Sequence, residues 1–130
     1  MKKFRILVIA SALVLAACSG GPGSINIDTG KKAIVSANGS PLIKVVVDGG
    51  GKEVTFQSYD NTKNNSVIYF NSHNPGFLTS EGFGLNKDYF MKLAPSSKYT
   101  VASYNSKDEA VSVIVFRTDY KDDIIDVDKK

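Results

Sequence analysis

The chain has 130 residues, with 16 basic and 13 acidic side chains, a formal charge of +3 and a single cysteine. That length fits one domain with one core, and a lone cysteine excludes an internal disulfide brace. So small a charge excess gives no support for non-specific nucleic-acid binding, which needs a net positive surface against phosphate.

Lys2, Lys3 and Arg5 precede an apolar run, Ile6 to Leu13, that continues through Val14-Leu15-Ala16-Ala17 to Cys18. A basic start, a short apolar stretch and small residues before a cut site are the marks of a secretory signal. A membrane-spanning helix needs ~20 apolar residues, and the stretch from Ile6 to Ala17 is shorter. Leu15-Ala16-Ala17-Cys18 resembles the lipobox of bacterial lipoproteins. The resemblance implies a diacylglyceryl group on the Cys18 thiol, cleavage between Ala17 and Cys18, and a further acyl chain such as palmitate on the new amino terminus. It also implies a cell-envelope location, anchored to the membrane by lipid. In a Gram-negative cell, Ser19 after the lipidated cysteine implies sorting to the outer membrane. With residues 1–17 gone, three basic side chains leave and the rest balance at 13 of each sign.

Residues 18–31 read as the lipidated cysteine and a flexible linker, since Ser19-Gly20-Gly21-Pro22-Gly23-Ser24 leaves the backbone free. Six such residues span on the order of 13 Å. From 32 to 120 the chain is short runs of β-branched and aromatic residues divided by turn residues. Strands are expected at Ala33–Ser36, Leu42–Asp48, Glu53–Tyr59, Ser66–Phe70, Asp88–Leu93, Lys98–Asn105 and Ala110–Arg117, with a short one near Phe77–Thr79. Past residue 18 no window keeps the i, i+3, i+4, i+7 apolar spacing of a helix. The expected fold is all-β: a single antiparallel β-sandwich, its strands joined mostly as hairpins.

Tyr89-x-Met91-x-Leu93-x-Pro95-x-x-x-Tyr99-x-Val101 resembles the tyrosine-corner region of fibronectin type III domains. That resemblance implies an immunoglobulin-like sandwich in which the Tyr99 ring fills the end of the core and its hydroxyl bonds backbone upstream. The chain has no tryptophan, so Phe56 is expected where that family carries its core tryptophan.

His73, the sole histidine, sits in Ser72-His73-Asn74-Pro75-Gly76 with no nucleophile elbow or third catalytic member in view, and reads as an exposed loop residue. One histidine and a lipid-committed cysteine cannot supply the nitrogen and sulfur ligands zinc prefers, so no metal or cofactor is expected. Gly49-Gly50-Gly51-Lys52 lacks the Ser or Thr and the following helix of a phosphate loop. Its glycines read as a hairpin turn. Residues 121–130 read as an acidic, solvated tail, although Ile124, Ile125 and Val127 leave open a role in pairing with a sheet edge. Phe77 and Phe83, among Gly76, Gly82 and Gly84, form a candidate recognition loop: the rings either make a contact surface or cap the sandwich. No catalytic set is legible. The expected function is a non-catalytic module binding or assembling another envelope protein. Alternatives are a cell-wall glycan or polysaccharide binder, an exclusion or immunity lipoprotein, and, ranked last, an envelope hydrolase.

Overall fold

A computed structural model describes residues 23–59, 65–81 and 89–130. Among them are nine strands and no helix: β1 (Ile25–Asp28), β2 (Ala33–Ser36), β3 (Lys44–Gly49), β4 (Lys52–Ser58), β5 (Val67–Tyr69), β6 (Phe77–Glu81), β7 (Lys98–Tyr104), β8 (Ala110–Thr118) and β9 (Ile124–Lys129). They form a three-stranded sheet, β1-β2-β5, and a six-stranded sheet, β6-β4-β3-β7-β8-β9. Every neighbouring pair is antiparallel. The expected all-β, two-sheet sandwich is the fold.

Alternation builds the core. Val45 and Val47 on β3, Val54 and Phe56 on β4, and Ile114 and Phe116 on β8 point inward and are buried, while their chain neighbours stay at least partly exposed. Ile34 and Ile68, paired across β2 and β5, meet them from the smaller sheet. Phe56 is fully buried.

Tyr99 closes one end. Its ring is 1% exposed and stacks on Phe116 at 5.2 Å between centroids. The Ala94 N–H donates to its hydroxyl at 2.8 Å, so the bond to upstream backbone is present. The glycine turn exists to admit this ring. A Cβ on Gly50, whose φ is +61°, would sit 2.5 Å from the Tyr99 hydroxyl, and one on Gly49 would meet the Tyr99 ring at 2.6 Å.

Four expectations are corrected. Residues 25–28 belong to the sandwich and not to the linker: Ile25 is fully buried, and β1 pairs with β2 from Ile25↔Ser36 to Asp28↔Ala33. Alternation was too short there to show. Residues 89–93 are not a strand, because they bond backbone only at single points, where Asn71 N–H donates to the Met91 carbonyl and Leu93 N–H to Asn71 Oδ1. Met91 and Leu93 are nonetheless buried. The acidic tail is not solvated coil: β9 pairs with β8 and buries Ile124. The hairpins β3–β4 and β7–β8 form as expected and β1–β2 and β8–β9 join the two strands that were not expected, but β2–β5, β3–β7 and β4–β6 pair strands distant in sequence.

β9 forms one edge of the larger sheet, and it is shaped as an edge. Its register to β8 slips between Val115 and Arg117, and Asp126 at the slip has φ +52°. An extra residue in the left-handed region is a bulge that twists a strand away from further pairing. Lys129, opposite Ile114, lies on the inner side and donates to Asn26 Oδ1 of β1 at 3.0 Å.

Candidate recognition surface

The strand directions give the sandwich two ends. Gly23, the loop after Ser36 and the β7–β8 turn share the end at which the chain enters. The turns after Asp28, Gly49 and Thr118 share the other, where Lys32 Nζ reaches Asp122 at 2.6 Å and Asp123 at 3.3 Å. Those two carboxylates, Asp122 first through its hydrogen bond, raise the Lys32 pKa. Nine residues of β8 at ~3.3 Å per residue separate the two ends by about 30 Å.

Neither Ala17 nor Cys18 falls within the described residues, and Phe83 also lies outside them. Phe77 does not serve as a contact residue. It is 0% exposed at the start of β6, opposite Ser58. Pairing with β4 sets Phe77 and Thr79 on the inner face, so of the two readings open for this ring, the core has it. His73 is exposed and meets Phe90 edge-on at 4.9 Å, and among the described residues neither a serine nor a carboxylate bonds its ring. Asn74, next to it, is the structural residue of that loop. Its side-chain amide accepts from the Tyr69 N–H at 2.6 Å and donates to the Tyr69 carbonyl at 2.9 Å, which pairs the edge of β5 where no strand of the described residues does. Among the described residues no group of three His, Cys, Asp or Glu stands close enough to hold a metal ion.

The far end carries a different constellation, one that sequence reasoning missed. On the outer face Lys98 of β7 lies opposite Arg117 of β8, and Arg117 lies opposite Ile125 of β9. This cation–cation–apolar row borders a depression of about 440 Å³, lined also by Ser96, Ser97, Thr118 and Asp126. Ile125 is 42% exposed, and Tyr120, in the adjoining turn, is 75% exposed. Lys121 places its ammonium 5.5 Å from the centre of the Tyr120 ring. The turn itself is rigid: Asp119 Oδ1 accepts from both the Lys121 and Asp123 N–H groups, at 2.8 and 3.0 Å. Thr118 Oγ1 donates to the Ala94 carbonyl at 2.6 Å and ties the turn to the tyrosine corner. An exposed tyrosine on a braced turn, with an arginine and an exposed isoleucine on the strands that the turn joins, has the composition of contact hot spots. The signal in the sequence was present but dispersed, because register alone brings residues 98, 117 and 125 side by side.

Compared with family models, with curated proteins and with solved structures, the chain matches none.

Proposed function

We propose that this protein is a lipid-anchored module of the bacterial cell envelope that binds another envelope protein without catalysis. The lipobox-like Leu15-Ala16-Ala17-Cys18 supports the anchor. The observation that carries the binding role is the exposed Lys98–Arg117–Ile125 row, with an exposed Tyr120 in the braced turn that joins β8 to β9. Anchor and surface are compatible in space. The chain enters the sandwich at Gly23, and the row lies about 30 Å away at the far end, so a tether of Cys18 to Pro22 leaves that end directed from the membrane. In a Gram-negative cell Ser19 assigns the anchor to the outer membrane.

Two measurements test this reading. Metabolic labelling with a fatty-acid probe marks the native chain and not Cys18→Ala, because only the thiol accepts the diacylglyceryl group; equal labelling refutes the anchor. Co-purification from detergent-solubilised envelopes recovers a protein with the native chain and loses most of it with Tyr120→Ala, at unchanged Tm. Recovery of glycan in its place would move the protein to the polysaccharide-binding class, and undiminished capture by Tyr120→Ala would remove the surface.

A further inference from the structure

Lys98 and Arg117 are directly opposite in the β7–β8 register. Like charges so placed repel and destabilise a strand pair, yet neither has a carboxylate within 4.0 Å among the described residues. Some lysines elsewhere have an acid beside them: Lys44 meets Asp108 at 2.5 Å, Lys52 meets Glu81 at 3.7 Å and Lys130 meets Asp128 at 3.0 Å. The acids nearest the row are otherwise engaged or held off. Asp119 Oδ1 is taken by two backbone N–H groups, and Asp126 borders the depression on the αL residue of the bulge without reaching either cation.

We infer that this row is a docking site for an acidic peptide segment, with one carboxylate held between Lys98 and Arg117 and the apolar residue beside it resting on Ile125. The inference builds on the protein-binding role proposed above and names the chemistry of its partner. A guanidinium presents a planar fork that matches a carboxylate through two parallel hydrogen bonds, and an opposed ammonium adds a third donor. The anion would also remove the cross-strand repulsion, which no carboxylate within 4.0 Å offsets among the described residues. Asp126 at the rim sets the spacing: it repels a second negative charge immediately along the groove, so the site favours an isolated acid flanked by apolar residues over a polyanion such as nucleic acid. Recognition is by side chains, because the bulge at Asp126 disfavours pairing of an added strand with the β9 edge.

The test uses the isotope-labelled full chain in detergent micelles, titrated with an amidated, acetylated peptide Gly-Gly-Leu-Glu-Leu-Gly-Gly and followed by amide chemical shifts. The expected result is saturable shifts at residues 96–98, 117 and 125, with about tenfold weaker binding of the Gln counterpart, the ratio given by one charge-assisted bond. Lys98→Gln with Arg117→Gln abolishes the preference for Glu over Gln, while Lys107→Gln, at the opposite end, leaves it intact. Because the double variant removes a repulsion, its Tm stays level or rises. A falling Tm would assign the pair to structure and overturn the proposal. Equal binding of the Glu and Gln peptides, shifts that map elsewhere, or displacement of the peptide by an equal concentration of inorganic phosphate would each overturn it too. If the peptides fail while Tyr120→Ala still loses its co-purified protein, the binding role stands and only the acidic chemistry falls.

Discussion

Tyr99→Phe removes one oxygen atom and tests whether the tyrosine corner holds this end of the sandwich. The ring is 1% exposed and stacked on Phe116, and the phenylalanine ring keeps that packing. What is lost is the acceptor for the half-buried Ala94 N–H, at 2.8 Å. A lost bond of this kind costs about 1 kcal/mol, which lowers Tm by about 4–8 °C for a domain near this size. Tyr99→Ala removes the ring as well and costs ~3–5 kcal/mol through the cavity left beside Phe116. The contact with the glycine turn sharpens the test. Gly50→Ala in the native background suffers twice, from φ +61° and from a Cβ 2.5 Å from the Tyr99 hydroxyl. In the Tyr99→Phe background the worst contact is gone, leaving the backbone strain, about 1–2 kcal/mol, and a tighter-than-usual approach to ring carbon Cζ at 3.1 Å. The two substitutions are therefore coupled, and the double variant is more stable than the sum of the singles predicts. Urea unfolding of the full chain in detergent, followed by far-UV circular dichroism, measures all four proteins. Additive effects, or a Tyr99→Phe loss as large as that of Tyr99→Ala, would refute the reasoning.

Phe77→Ala costs ~3–5 kcal/mol by emptying a fully buried site; thermal unfolding checks it, and a native Tm would return Phe77 to the surface. Tyr89 has its pKa pushed up to about 12 by burial first and then by its 2.5 Å hydrogen bond to Glu81. In an ultraviolet titration the native chain therefore holds one phenol protonated well above the usual ~10, and Tyr89→Phe or Glu81→Gln removes that late step. Between those two pH values the unfolded chain has released a proton that the folded chain keeps, so this group's share of stability is whole below ~10 and falls as pH rises toward 12. Asp126→Gly keeps or raises stability because glycine accepts the φ of +52° freely, whereas Asp126→Val lowers it by ~1–3 kcal/mol; paired urea curves separate the two.

Much of the fold was legible because alternation is a local signal. Val45, Val47, Val54 and Phe56 announce two inward faces, and Tyr99 announced its own bond. The misses have physical causes. β1 holds four residues, too few for alternation to stand out from the glycine-rich run before it. β9 was hidden by its own defences: the charges and the bulge that keep an edge strand from aggregating make it read as a solvated tail. Phe77 looked like a loop residue because glycines surround it, yet pairing with β4 decides which way its ring faces. The row of Lys98, Arg117 and Ile125 could not be read at all without register, which depends on where β8 and β9 pair and not on any one segment.

The central claim is that the end carrying Tyr120 meets a protein while the end at Gly23 sits near the membrane. Photo-crosslinking in intact cells tests it most directly, with a photoreactive amino acid placed in turn at Tyr120, at Ile125, and at Ile43 and Lys107 of the opposite end. The expected result is one discrete protein adduct from Tyr120 and Ile125, lost when Lys98 and Arg117 are both replaced by glutamine, and none of that adduct from Ile43 or Lys107. The same adduct arising only from Ile43 and Lys107 would contradict it.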